Sequence, residues 1–141
     1  KIGGNIDRIE KRNDTIYIID YKTGKRDDSC KNLDELFSSE EKFRNNKVLQ
    51  TLMYSYLFHK NQKEDIVIVP QLFFVRDSSL SQESDIYMDK QKITDFRNIH
   101  TDFENRLRDL ISKIFDLTQS FRHTTHVEKC KMCDYKSICG I

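Results

Sequence analysis

The stretch IYIIDYKTGK, residues 16 to 25, decides how this chain is read. Isoleucine and tyrosine favour an extended, half-buried backbone, so residues 15 to 22 are expected to form a strand. Side chains alternate between the two faces of a strand, which places Asp20 and Lys22 on the same face. A buried strand seldom ends on two opposite charges, because burying charge is costly unless it is paired. Either the strand reaches solvent at Asp20, or Asp20 and Lys22 are held together for chemistry.

Immediately upstream, residues 2 to 11 read as a second strand, separated from the first by Asn13-Asp14. That pair tolerates positive φ and suits a tight hairpin turn. A turn centred there gives opposed residues whose numbers sum to 27, so Ile9 faces Ile18, Asp7 faces Asp20 and Asn5 faces Lys22. Directly opposed residues bring their Cβ atoms to about 5 Å, and like charges there destabilise a sheet. Two facing carboxylates are tolerated when both reach water, when one is protonated, or when a divalent cation lies between them. On spacing alone, solvated hairpin charges and a metal site remain equally open. On the same register Arg8 points to the opposite face, where it is structural or contacts the rest of the parent protein.

Downstream, residues 24 to 40 are polar and irregular, with a short helical turn expected at Leu33 to Phe37. A helix follows over residues 41 to 61, carrying Leu49, Leu52, Met53, Tyr56 and Leu57 at helical spacing. Residues 66 to 76, IVIVPQLFFVR, read as a strand covered on both faces, in which Pro70 demands an edge position or a bulge. A short strand is expected at residues 85 to 88, and a long helix over residues 94 to 119 with Phe96, Phe103, Leu107 and Ile111 on one face. The order of elements implies a mixed sheet flanked by helices.

The chain has 141 residues, 33% of them charged, and a net charge of +1, an ordinary composition for one domain with one core. Any binding of nucleic acid must therefore use a local basic groove rather than an overall basic charge. No run of about 18 apolar residues is present, so no membrane partner is expected and the reading is a cytoplasmic chain. The opening residues KIGGNID lack a methionine and already look like strand, as in a piece of a longer protein.

GGNIDRIE, then IYIIDYKTGK, then a helix carrying QTLMY resembles the PD-(D/E)XK nuclease superfamily, and more narrowly its RecB/AddB-like branch. The tail motif Cys130-x-x-Cys133 followed by Cys139 is similar to the iron–sulfur staple of that branch. The resemblance implies a restriction-endonuclease-like three-layer sandwich, a mixed β-sheet flanked by α-helices, with the fold's N-terminal helix missing. It implies a nuclease core over residues 1–121 and a cysteine-rich tail over residues 122–141. It implies catalytic roles for Asp7, Asp20, Lys22, Gln50 and Tyr54, and a Mg²⁺ or Mn²⁺ ion held by Asp7, Asp20 and the Tyr21 carbonyl. It further implies that Cys130, Cys133 and Cys139 contribute to a [4Fe–4S] cluster whose fourth thiolate lies elsewhere in the full-length protein. The alternatives for the tail are adventitious zinc bound with His123 or His126, and three free cysteines on a flexible end.

The function implied is metal-dependent DNA cleavage, as the exonuclease module of a recombination or repair helicase–nuclease. The helicase would be part of the same chain or a partner subunit. A free-standing exonuclease of CRISPR-adaptation or phage type, and a non-catalytic DNA-binding module of the same fold, are the alternatives. Intact Asp7, Asp20 and Lys22 argue against the last.

Overall fold

The computed structural model describes residues 3–38, 44–62, 65–76, 84–120, 124, 126–131 and 133–140. β1 (Arg8–Arg12) and β2 (Thr15–Lys22) form the expected hairpin, with Asn13 at φ 53° in its turn. The pairing runs from Arg8 opposite Ile19 to Arg12 opposite Thr15, the register set by a turn centred on Asn13-Asp14. The expected first strand is shorter than its sequence suggests: residues 3 to 7 lie outside β1, so Asp7 sits one residue before the ladder begins.

β3 (Ser29–Cys30) is followed by α1 (Leu33–Phe37), where the short helical turn was expected; Asn32 caps it by accepting from the Glu35 N–H at 2.9 Å. α2 (Asn46–Asn61) starts five residues later than the apolar spacing suggests. Its start is set by Asn45, whose side chain accepts from the N–H groups of Lys47 and Val48, both at 3.1 Å. The expected first turn falls largely on residues 39–43, outside the described ones.

β4 (Val67–Phe74) runs parallel to β2, so the main sheet has the order β1-β2-β4 with β2 in the centre. β4 lies at the end of that order, which accommodates Pro70 and its missing N–H. A small second sheet, order β3-β5-β6, joins β3 to β5 (Tyr87–Met88) and β6 (Gln91–Lys92). Asp89 and Lys90 both take positive φ in the two-residue turn between β5 and β6. A 3-10 turn (Phe96–Asn98) precedes α3 (His100–Ile114), so the expected long helix is split near its start and ends earlier. The tail carries α4 (Val127–Cys130) and then turns. This is a mixed α/β fold of small sheets flanked by helices, as the sequence implied.

The core lies on one face of the main sheet. Ile16 and Ile18 of β2, Ile68, Leu72 and Phe74 of β4, and Val48 and Leu52 of α2 are all buried there. Phe103 of α3 packs edge-on against Phe37 and Phe96, with ring centroids 5.2 and 5.7 Å away. Strand alternation continues this face along β2 as Ile16, Ile18, Asp20, Lys22. The apolar stripe thus leads directly into the two charges.

Candidate active site

Asp20 is 3% exposed, far more buried than its strand-end position requires. The Lys22 ammonium lies 2.5 Å from Asp20 Oδ2 as an ion pair, and among the described residues that oxygen has no other partner. Burial pushes the Asp20 carboxyl above its ordinary range, the Lys22 charge pulls it back, and the nearby Asp7 charge pushes it up again. The balance is upward, so the fold holds this carboxylate at a cost that its one counter-ion only partly offsets.

Asp7 reaches the same place from the other strand of the hairpin. Its Oδ2 accepts from the Tyr21 N–H at 2.9 Å, between Asp20 and Lys22 in sequence. Because β1 begins only at Arg8, the Asp7 backbone is free of the ladder and its side chain satisfies the end of β2 instead. The two acids expected to face each other therefore converge, though through this bond and not through a ladder pair.

α2 covers the pair. Gln50 Oε1 accepts from Lys22 Nζ at 2.7 Å, and Gln50 Nε2 donates to the Tyr54 hydroxyl at 2.8 Å. Residues four apart on a helix share a face, which is why Gln50 and Tyr54 can form one relay. An amide can turn either end toward a neighbour; the Tyr54 hydroxyl takes the NH₂ end and leaves the oxygen for the lysine. Gly4 closes the chain of contacts. A Cβ at Gly4 would come within 2.7 Å of the Tyr54 ring, so the backbone there packs directly against the tyrosine. Asp7, Asp20, Lys22, Gln50 and Tyr54 are thus brought into one cluster.

The remaining expectations divide. Arg8 lies on the opposite sheet face, as its register predicts, where Nη1 donates to the Tyr21 hydroxyl at 3.2 Å and Nη2 pairs with Glu10 at 2.7 Å. Among the described residues, no three His, Cys, Asp or Glu side chains form a group able to hold a metal ion. Cys130 and Cys133 are half-buried and Cys139 is exposed. The Asp7–Asp20 pair suits a hard cation better: it supplies two carboxylates beside a strand-end backbone, and the buried Asp20 Oδ2 has only the Lys22 ammonium beside it among the described residues. His123 lies outside the described residues. Missed in the sequence were the Gly4–Tyr54 contact and a set of cations beyond Lys22. The first had a signal in the small residues before Asp7; the second depends on strand pairing.

No helix among the described residues is long and apolar enough to cross a membrane. Neither the curated proteins nor the solved structures yield a match to this chain. The family model of the PD-(D/E)XK nuclease superfamily matches residues 1–140. Nucleases of this superfamily generally work with divalent metals such as Mg²⁺, which accords with the paired carboxylates and their lysine. With nearly the whole chain matched, and an acid, an acid and a lysine gathered at one strand end, this chain belongs to the PD-(D/E)XK nuclease superfamily.

Proposed function

We propose that the chain hydrolyses DNA phosphodiester bonds with Mg²⁺ or Mn²⁺, with Asp7, Asp20, Lys22, Gln50 and Tyr54 as its catalytic set. The observation that carries this reading is the Asp20 carboxylate, buried at 3% exposure yet raised in pKa beside a second acid. A fold keeps a carboxylate in that condition when a further positive charge is to arrive. Asp7, Asp20 and the Tyr21 carbonyl would hold the metal. When bound, it lowers the pKa of an attacking water and offsets charge developing on the phosphate.

The side chains of this chain supply the positioning. Lys22 has three N–H donors; Gln50 and Asp20 occupy two directions, and the third is left for the attacking water or a phosphate oxygen. The Gln50–Tyr54 relay fixes the ammonium at that point before substrate arrives, which is where pre-organised charge contributes most to rate. The proposal extends to the division into a core over residues 1–121 and a tail over residues 122–141. It extends also to a cytoplasmic role as the exonuclease module of a recombination or repair helicase–nuclease, with the helicase on the same chain or a partner subunit. For the tail, the spacing of Cys130, Cys133 and Cys139 supports a [4Fe–4S] staple completed by a fourth thiolate; no catalytic step is routed through it.

The test is cleavage of end-labelled single- and double-stranded DNA. Cleavage is expected with Mg²⁺ or Mn²⁺, lost with chelator, and lost in Asp20→Asn and Lys22→Ala. Cutting that persists in chelator, or wild-type rates in Asp20→Asn at saturating Mg²⁺, would refute the assignment.

A further inference from the structure

Beside the acid cluster lies a second feature that the catalytic reading does not use. A groove of about 370 Å³ is lined by Gly24, Lys25, Arg26, Phe74 and Arg76. Three of its five lining residues are cations and none is an acid, in a chain whose net charge is only +1. Such a local excess is not expected from composition, and a concave cationic surface concentrates polyanions.

The groove is built by the same strands that build the site. Lys22 pairs with Phe74 in the parallel ladder, and the Val75 N–H donates to the Lys22 carbonyl at 2.9 Å. This pairing carries Arg76 past the end of β4 beside the loop that follows β2, where Lys25 lines the same groove. Phe74 is 1% exposed and forms a closed floor. Lys47 braces that floor, with its ammonium 5.5 Å from the Phe74 ring centroid and donating to the Lys25 carbonyl at 3.0 Å. Of the acids that follow in sequence, Asp28 pairs with the groove's own Arg26 at 2.6 Å, and Asp27 lies 3.8 Å from Lys47. Lys25 and Arg76 have no carboxylate partner among the described residues. At Gly24 the backbone is bare, with open space where a Cβ would stand, so a phosphate oxygen can approach the main chain.

We infer that this groove is the track for the DNA strand flanking the scissile bond, with Lys25 and Arg76 each neutralising one backbone phosphate. The inference rests on the nuclease reading of the adjacent cluster and adds the path by which substrate reaches it. Contacts of this kind read no base sequence; they fix the register of the strand relative to Asp20 and Lys22. Arg26, already paired with Asp28, stiffens the wall of the groove and makes a weaker contribution.

The experiment is equilibrium binding of fluorescein-labelled DNA, single-stranded and duplex, in chelator so that no strand is cut, across a salt series. Each phosphate contact contributes about 0.9 to the slope of log affinity against log salt for duplex and about 0.7 for single strands. Lys25→Gln and Arg76→Gln should each reduce the slope by roughly one contact, and the double variant by roughly two. Arg76→Lys should keep the slope, and Lys113→Gln, on α3, should leave it at the wild-type value. Wild-type slopes in both groove variants, or an equal loss in Lys113→Gln, would overturn the groove while leaving the catalytic assignment standing. A wild-type protein that binds no DNA at low salt would sink both. Intact groove binding together with absent metal-dependent cleavage would sink the catalytic assignment alone.

Discussion

Lys22 is the residue on which the cluster turns, because it is bound both to the buried acid and to the helix above it. Its removal and the removal of Asp20 should have opposite effects on stability. Asp20→Asn deletes a carboxylate whose charged form the fold disfavours on balance, so the metal-free melting temperature should hold or rise. Lys22→Ala leaves that carboxylate buried without its counter-ion, which costs on the order of 3 kcal/mol at neutral pH. The pH dependence has a definite sign. The Asp20 pKa is raised above the ordinary 3.8, so the folded state holds this proton more tightly than the unfolded chain does. Its contribution to stability is present at low pH and is lost as pH rises through the folded value. The advantage of Asp20→Asn over wild type should therefore be largest at neutral pH and vanish below about pH 4 in thermal melts with chelator. Gly4→Ala offers a subtler test. The added Cβ meets the Tyr54 ring at 2.7 Å, displaces the tyrosine and frees Gln50 to turn. Cleavage should fall about 10- to 100-fold, as when supporting residues around other metal sites are altered, with the far-ultraviolet circular dichroism unchanged.

At the scale of elements, the pieces with a local signal of their own were legible and those defined only by their partners were not. β2, α1 and the hairpin register follow from local signals: β-branched alternation, an Asn cap, and a turn pair that accepts positive φ. β5 falls within the short strand expected at residues 85 to 88, whereas β3 and β6 have two residues each and are defined only by their pairing with β5, so no local pattern announces them. The start of α2 was misplaced because apolar spacing marks a buried face and not a helix end; Asn45 marks the end. Asn45 also ties the helix to the loop beyond the site, donating to the carbonyls of Asp27 and Ser29 at 3.1 and 3.0 Å. Asn45→Ala removes four hydrogen bonds at a position 8% exposed. Denaturant unfolding should register a loss of about 2 kcal/mol, more than a solvent-exposed cap would give.

For the molecule as a whole, the acid cluster was legible because its residues fall in two short motifs and one helix turn. The groove cations were not, since Arg76 reaches Lys25 only through the parallel pairing of β4 with β2. A second long-range meeting couples the two main helices. His59 near the end of α2 meets His100 at the start of α3 edge-on, with ring centroids 4.9 Å apart. Burial lowers the His59 pKa, the His100 charge lowers it further, Lys60 and Arg97 act in the same direction, and Asp65 opposes them. A lowered histidine binds its proton less well folded than unfolded, so stability is full above about pH 6.5 and declines as pH falls. His59→Phe should flatten that acid limb in melts between pH 7 and 5. Metal binding by the Asp7–Asp20 pair is tested most directly by Mn²⁺ titration followed by electron paramagnetic resonance at pH 7, comparing wild type with Asp7→Asn and Asp20→Asn. At least one Mn²⁺ site is expected in the wild type, weakened about tenfold or more in each variant. Equal Mn²⁺ affinity in all three proteins would contradict it.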